Sequence, residues 1–343
     1  MKKINWGILG LGNIADRFAE SFATLDNAII KGVASNNINK LDNFKTKYNI
    51  PSEFCFNDYN KLILSSEIDI IYIALPNSLH AKHAAECLNR NKNVLLEKPA
   101  FLRIKDFENI KKLSLEKKCY FTEAFMYRYL PYFKELKNII ENKTLGNVCK
   151  IESNFNIRVF KEKKILGIKF KKPDYSNRLF NKELGGGSIF DLGCYPLSLS
   201  TFINSISHKI SKDNIKLEKI ETEFCDSGVD IKSSAIINFN NKFNSFVQCS
   251  FKDKMCQNTK ITFELGNLFI EETWAPSKDT IIEIQNGDST KILNFKNDGL
   301  YSYEIQEISN QLLNKHNLAH FPSIMFDEIE INTLLLNNWA NIN

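Results

Sequence analysis

The sequence predicts an α/β protein: a doubly wound parallel sheet, then a second α/β domain with a large, open, mainly antiparallel sheet. Up to about residue 124, short apolar runs alternate with amphipathic segments, which is the pattern of consecutive βαβ units. After about Gly146, apolar residues alternate with polar ones over longer stretches, which is typical of antiparallel strands. The 343 residues suit about two domains, which we place at 1–124 and 125–343.

The first domain is expected to contain five strands and four helices. Ile68–Ala74 is a nearly uninterrupted run of branched and aromatic residues, as expected for a parallel strand buried on both faces. Ser78–Asn89 has apolar residues at helical spacing. The other expected strands are Ile4–Gly10, Ile29–Ala34, Asn93–Leu96 and Cys119–Ala124, and the other helices are Ile14–Leu25, Lys40–Tyr48 and Lys105–Lys117.

Two turn signals predict β-hairpins in the second domain. Asn286-Gly287 joins two alternating runs, which is a strong hairpin signal, and Asn240-Asn241 separates two more such runs. Because one face of an antiparallel sheet is usually covered, we expect helices at about 188–204, 300–314 and 323–338 to pack on this sheet.

The composition disfavours several classes of protein. A net charge of +5 on so long a chain is too weak to indicate a nucleic-acid partner. Eight cysteines without a Cys-x-x-Cys pair disfavour a disulfide scaffold or a paired-thiol zinc site, and they fit a reducing compartment. No apolar stretch approaches the roughly 18–20 residues that span a bilayer. We therefore expect a cytoplasmic protein with no membrane partner.

The first strand ends in a glycine loop, Gly10-Leu11-Gly12-Asn13-Ile14-Ala15. Gly10 permits the tight turn, Gly12 lets backbone amides approach a pyrophosphate, and the small Ala15 lets the following helix pack closely. The amides of Asn13 and Ile14 lie at the N-terminus of that helix, where an anion is favoured. The loop indicates dinucleotide binding, and a purely structural turn is the alternative.

The end of the second strand bears on the choice of cofactor. NAD-binding domains place an acidic residue there to hold the ribose hydroxyls, whereas this chain reads Ala34-Ser35-Asn36-Asn37. Without a carboxylate to repel a 2′-phosphate, Ser35 and Asn36 favour NADP(H), and NAD(H) stays open.

Two clusters carry candidate catalytic groups. Glu97-Lys98-Pro99 follows a buried strand, at the edge where open α/β sheets bind ligands; a surface ion pair is the alternative. Asp191 and Tyr195 share one helix face after a triple glycine, so a carboxylate and a phenol could form an acid–base pair; the alternative is that Asp191 binds a backbone amide and Tyr195 belongs to the core. His80 and His83 lack a third ligand, so no metal is expected.

Together these motifs resemble the Gfo/Idh/MocA family of glucose–fructose oxidoreductase and inositol dehydrogenase, over essentially the whole chain. The motifs in family order are the glycine loop, Ala74–His80, Glu97–Pro99, Glu123–Arg128 and Gly185–Pro196. The Asp191-x-x-x-Tyr195 form is similar to the glucose–fructose oxidoreductase, sugar dehydrogenase and dihydrodiol dehydrogenase branch. Asn36 stands where the family often has arginine, which leaves cofactor choice open.

The resemblance implies an NAD(P)-binding Rossmann domain and an oxidoreductase that transfers hydride between nicotinamide and a secondary alcohol or carbonyl. Lys98 would be the central catalytic and substrate-positioning lysine, Asp191 a substrate-binding carboxylate and Tyr195 the proton donor or acceptor. Tyr127 and Arg128 would line or brace the substrate site. The implied cofactor contacts are Leu75, Pro76, Asn77, His80, Glu97, Lys98 and Arg178.

The expected substrate is a sugar, a sugar derivative or a cyclic diol, and the expected assembly is a homodimer or homotetramer through the C-terminal sheet. Two alternatives remain: a glycoside hydrolase that retains its cofactor on the same fold, and a non-catalytic regulator that senses NADP. A regulator would not need Lys98, Asp191 and Tyr195 together.

Overall fold

The computed structural model describes residues 2–165, 168–207, 215–240 and 242–341, and its described parts pack as two compact units. The first unit comprises Met1–Leu130 and Asp298–Ile329, and the second comprises Pro131–Asn297 and Glu330–Asn343. The domain boundary predicted between residues 124 and 125 remains a prediction.

The first unit contains a six-stranded parallel sheet in the order β3-β2-β1-β4-β5-β6. This is the doubly wound order in which ligands bind where the strand order reverses, here between β1 and β4. The strands are β1 (Ile4–Leu9), β2 (Ala28–Ala34), β3 (Cys55–Phe56), β4 (Ile70–Ile73), β5 (Asn93–Glu97) and β6 (Phe121–Ala124). The helices of the N-terminal segment are α1 (Asn13–Glu20), α2 (Ile38–Tyr48), α3 (Tyr59–Leu64), α4 (His80–Asn89) and α5 (Ile104–Lys117).

The second unit contains an eight-stranded sheet in the order β10-β11-β12-β7-β13-β14-β15-β16, antiparallel except where β7 pairs with β12. Its strands are β7 (Val148–Asn156), β10 (Ile215–Phe224), β11 (Asp230–Phe239), β12 (Phe243–Ser250), β13 (Thr259–Phe263), β14 (Asn267–Ile270), β15 (Thr280–Asn286) and β16 (Ser289–Phe295). A separate hairpin consists of β8 (Lys161–Ile165) and β9 (Ile168–Lys172). These two sheets confirm the predicted fold class.

The helices of the later chain segments are α6 (Pro131–Glu141), α7 (Cys194–Ser207), α8 (Ser302–Leu313) and α9 (Phe326–Trp339). Both predicted hairpins form. Asn240 adopts a positive φ of 55°, and Asn241 lies outside the described residues.

One prediction about packing is wrong. The helix predicted at 300–314, α8, belongs to the first unit and packs on the parallel sheet instead of the antiparallel one. The indole of Trp6, fully buried in β1, donates to the Ser309 hydroxyl at 3.0 Å. Helical periodicity predicted the buried face of α8, but it carries no information about which sheet that face covers.

Candidate active site

The glycine loop has the geometry that dinucleotide binding requires. Gly10 has φ of +94°, and a Cβ there would lie 2.7 Å from the Ala74 carbonyl oxygen, so only glycine lets β1 pass this close to the end of β4. Gly12 has an ordinary φ of −94°, and a Cβ there would meet no atom within 4 Å. Asn13 and Ile14 begin α1, which no side chain caps.

Open space above Gly12 and uncapped helix amides fit a bound pyrophosphate. At the end of β2, Ser35 is buried and its hydroxyl accepts the Asn37 amide at 3.1 Å, whereas Asn36 is exposed. Asn37 in turn caps α2 by accepting the Lys40 amide. No carboxylate lies among residues 34–37, so the repulsion of a 2′-phosphate that an acid would cause is missing here.

The predicted catalytic lysine follows the last residue of β5. The Lys98 amide donates to Glu97 Oε2 at 3.1 Å, and Glu97 Oε1 accepts a short hydrogen bond from the Tyr72 hydroxyl. Burial, followed by the charge of Glu97, holds the pKa of Tyr72 well above its usual value. Tyr72 therefore remains a phenol that fixes Glu97 beside the Lys98 amide.

The residues that follow Lys98 are held by side chains from neighbouring elements. Glu123 in β6 is buried, and its Oε1 accepts the Ala100 amide at 2.8 Å. Burial is the main cause that raises the pKa of Glu123 to about 8. His80 is also fully buried, with Nε2 2.9 Å from the Leu75 carbonyl oxygen and Nδ1 3.0 Å from that of Pro99.

The structure thus brings Gly10, Leu75, His80 and the turn at Lys98 to the carboxyl edge of one parallel sheet. Pro76 is half-buried, and Asn77, buried, begins the single helical turn that precedes α4. The cofactor contacts predicted for these residues remain predictions.

Tyr127 and Arg128 lie in the same unit, in a short helical turn after β6. Arg128 is 1% exposed and pairs with Glu328, with Nη1 2.8 Å from Oε1. The expectation that Tyr127 and Arg128 line or brace the substrate site remains a prediction.

The second unit carries Asp191, Tyr195 and Arg178. A single π-helical turn, Ile189–Gly193, leads into α7 and contains Asp191, while Tyr195 is the second residue of α7. Such wide turns are rare and frequent at functional sites. Arg178 Nη2 lies 3.6 Å from Asp191 Oδ1, so the predicted arginine and carboxylate are neighbours.

The sequence analysis did not predict two sets of contacts that hold the segment containing Asp191 and Tyr195 in place. Tyr195 is 6% exposed, and its ring packs edge-on against Phe155 and tilted against Trp274, with centroids 5.0 and 5.9 Å apart. The buried Asp230 at the start of β11 accepts the Ser188 hydroxyl and the Ile189 amide, both at 2.7 Å. No sequence signal marked Asp230, because its partners precede it by about forty residues.

Other chemistry has little support among the described residues. No group of three or more His, Cys, Asp or Glu side chains there could hold a metal ion. His83 Nδ1 instead lies 2.7 Å from Glu86 Oε2. All eight cysteines are free thiols, and no described helix is long and apolar enough to cross a membrane.

Comparison with known families identifies the class of protein. The model of an oxidoreductase family with an NAD-binding Rossmann fold, GFO/IDH/MocA, matches residues 4–125. The model of the GFO/IDH/MocA C-terminal domain matches residues 133–268. The chain therefore belongs to the GFO/IDH/MocA family of NAD(P)-binding oxidoreductases.

Similar proteins are dehydrogenases and reductases. Trans-1,2-dihydrobenzene-1,2-diol dehydrogenase of Xenopus tropicalis is 25% identical over 90% of this chain and 89% of its own. Glucose-6-phosphate 3-dehydrogenase of Bacillus subtilis is 30% identical over 67% of this chain and 63% of its own. The chain is an enzyme of this oxidoreductase class.

Solved structures share the fold at low identity. The 3-ketoreductase KijD10 of Actinomadura kijaniata, in complex with NADP and TDP-benzene, has a TM-score of 0.83 at 16% identity, covering 98% of this chain and 96% of its own. An aldose-aldose oxidoreductase of Caulobacter crescentus has a TM-score of 0.83 at 18% identity, covering 99% and 97%.

Proposed function

We propose that this enzyme interconverts a secondary alcohol and the corresponding carbonyl on a sugar, a sugar derivative or a cyclic diol, and that it prefers NADP(H). The observation that carries the proposal is the buried turn that presents Lys98 at the ligand-binding edge of the parallel sheet. The relatives named above act on a cyclic diol and a phosphorylated sugar, which supports this substrate range.

The glycine loop from Gly10 to Ile14, together with Ser35 and Asn36, would hold the dinucleotide, and the bound nicotinamide supplies the acceptor or donor of hydride. Lys98 binds the reacting oxygen and stabilises the negative charge that develops on it, which is usually the largest electrostatic contribution. Asp191 orients the substrate hydroxyls by accepting their hydrogen bonds, and Arg178 beside it fixes the carboxylate.

Tyr195 carries the proton in this proposal. In the oxidation direction its phenolate oxygen takes the proton from the substrate hydroxyl, and in reduction the phenol returns it. A free phenol titrates near pH ~10, so oxidation should accelerate with rising pH. Phe155 and Trp274 confine the ring, which keeps its rotamer fixed for the transfer.

The test combines two variants with a panel of sugars and diols, followed at the nicotinamide absorbance with both cofactors. Lys98→Ala should reduce turnover about 10²–10³-fold, and Tyr195→Phe about 10²–10⁴-fold with loss of the rising pH limb. Both variants should bind cofactor almost normally.

Near-normal turnover of Lys98→Ala would refute the role of the lysine. If the rising limb of the pH–rate profile is unchanged in Tyr195→Phe, the proton transfer would be assigned to Lys98 instead. Release of sugar without net change in nicotinamide absorbance would instead identify the cofactor-retaining glycoside hydrolase, and binding without any turnover would identify the regulator.

We also propose that the protein assembles as a homodimer or homotetramer through the C-terminal sheet, and that it is located in the cytoplasm. Ile281 in β15 and Ile292 in β16 are 50% and 66% exposed on paired strands. Sedimentation velocity on the protein and on Ile292→Asp tests this assembly, since a monomer at micromolar concentration would contradict it.

A further inference from the structure

The buried carboxylate of Asp230 holds the start of the turn that carries Asp191. Its Oδ2 accepts the Ser188 hydroxyl and the Ile189 amide, both at 2.7 Å, and the residue is only 7% exposed. Ser188 is itself fully buried, so neither donor has water as an alternative partner. The first residue of β11 therefore fixes the backbone at the start of the π-helical turn.

The anchored residues connect directly to Asp191. The π-helical turn begins at Ile189, and the carbonyl oxygen of Gly187 accepts the Asp191 amide at 3.0 Å. Gly187 has φ of +123°, and a Cβ there would lie 2.2 Å from Asp230 Oδ1. The backbone that presents Asp191 thus packs against the Asp230 carboxylate, so a shift at Asp230 would move Asp191 with it.

The same glycine run holds the loop that carries Arg178. The Gly187 amide donates to the Leu179 carbonyl oxygen at 3.0 Å, and a Cβ at Gly186 would lie 2.6 Å from that oxygen. Arg178 Nη2 lies 3.6 Å from Asp191 Oδ1. The arginine and the carboxylate beside it therefore both depend on the glycine run that Asp230 anchors.

Tyr195 is held by different contacts. Its ring packs against Phe155 in β7 and against Trp274, with centroids 5.0 and 5.9 Å apart. Because these aromatic contacts do not involve Asp230, we expect the loss of the Asp230 carboxylate to displace Asp191 more than the phenol of Tyr195.

We propose that Asp230 is a positioning residue for the reaction: by fixing the start of the π-helical turn, it holds the Asp191 carboxylate where the substrate hydroxyls bind. This role rests on the proposed function, in which Asp191 binds substrate. Asp230 acts on the reaction through Asp191, so its effect on turnover should require the Asp191 carboxylate.

The test is a double-mutant cycle of Asp230 and Asp191, measured as kcat/KM on a substrate from the panel of sugars and diols. Asp230→Ala should lower kcat/KM about 10²-fold, the cost of misplacing a substrate-binding group by ~1 Å. In Asp191→Ala the same substitution should cost less than about threefold, because the carboxylate that it positions is gone. Rates are expressed per molecule that binds NADPH, counted by fluorescence titration.

Milder variants separate positioning from loss of folding. Asp230→Asn keeps one acceptor oxygen and should retain most of the kcat/KM that Asp230→Ala loses. Ser188→Ala removes one of the two donors and should lower kcat/KM about tenfold, the equivalent of one buried hydrogen bond. If Asp230→Ala does not fold, Ser188→Ala takes its place in the cycle.

The matched control is Asp253→Asn, whose carboxylate pairs with Lys232 in the same strand as Asp230, and it should leave kcat/KM unchanged. The rising limb of the pH–rate profile should keep its position in Asp230→Asn and Ser188→Ala, because Tyr195 is held separately. A shifted limb would place the effect on Tyr195 and overturn the role assigned to Asp230.

Equal losses with and without the Asp191 carboxylate would overturn the positioning role, as would normal kcat/KM in Asp230→Ala. If Asp191→Ala alone turns over normally, the proposed function of Asp191 fails, and the role of Asp230 fails with it. If Asp191→Ala is impaired but the losses multiply, only the role of Asp230 fails, so the two failures are distinguishable.

Discussion

Asp230 should contribute several kcal/mol to the free energy of unfolding, because it fixes the segment that leads to Asp191 and Tyr195. It is 7% exposed, and its Oδ2 accepts the Ser188 hydroxyl and the Ile189 amide, each at 2.7 Å. Asp230→Ala leaves both buried donors unpaired, and each costs about 1–3 kcal/mol. We therefore expect the free energy of unfolding to fall by about 2–6 kcal/mol.

Urea unfolding measures this loss as a lower midpoint at constant slope. Asp230→Asn keeps the shape of the side chain and one acceptor oxygen, so its free energy of unfolding should fall less than that of Asp230→Ala. Asp253→Asn is the control: this partly exposed carboxylate pairs with Lys232 at 2.9 Å, and such pairs contribute about 0–1 kcal/mol. A midpoint for Asp230→Ala equal to that of the control would refute the reasoning.

Two glycines isolate the contact with Asp230. Gly187 has φ of +123°, and a Cβ there would lie 2.2 Å from Asp230 Oδ1, whereas Gly228 has φ of +74° with no atom within 4 Å of its Cβ. Both alanine variants strain the backbone, but only Gly187→Ala also collides with the carboxylate. Asp230→Ala should therefore relieve part of the cost of Gly187→Ala, and strictly additive costs would contradict this contact.

Three further outcomes are expected. Gly12→Ala should leave the free energy of unfolding within about 1 kcal/mol, because its φ is ordinary and no atom lies near its Cβ. Calorimetry should nevertheless show about tenfold weaker NADP(H) binding, since the methyl group occupies the pyrophosphate approach. Asn36→Asp should shift preference toward NAD(H), because a carboxylate repels the 2′-phosphate; a wild-type protein that binds NAD(H) more tightly would contradict this. Burial, followed by the charge of Glu97, holds the pKa of Glu304 well above its usual value. The contribution of Glu304 to the free energy of unfolding is therefore fully present below its unfolded-state pKa near ~4.3, and it is lost as the pH rises. In Glu304→Gln the free energy of unfolding should decline less steeply above that pH. A decline as steep as in the wild-type protein would contradict the raised pKa of Glu304.

The parallel sheet was predictable because its strands are buried on both faces and therefore read as apolar runs. Ile70–Ile73 is fully buried, and the sequence run around it is unmistakable. β3 was missed because Cys55–Phe56 spans two residues, too few to show a period. The π-helical turn was also missed, since hydrophobic spacing does not distinguish a single wide turn from an α-helix.

The residues proposed to touch ligands were predictable for a different reason. Glycines at a sharp turn, a lysine after a buried strand and a carboxylate one turn before a tyrosine each carry a local signature. The residues that support them do not. Arg128 pairs with Glu328, which lies two hundred positions further along the chain, and Asp230 binds Ser188, which lies forty-two positions before it. Such partners become visible only in the fold.

The interior of the first unit explains how the turn that follows Lys98 is held in place. Burial raises the pKa of Glu123 to about 8, so at neutral pH this carboxyl is mostly neutral. Glu97 is fixed by the Tyr72 hydroxyl and the Lys98 amide. Glu123 therefore acts mainly through the hydrogen bond that it accepts from the Ala100 amide, because a neutral carboxyl orients the turn without adding a negative charge.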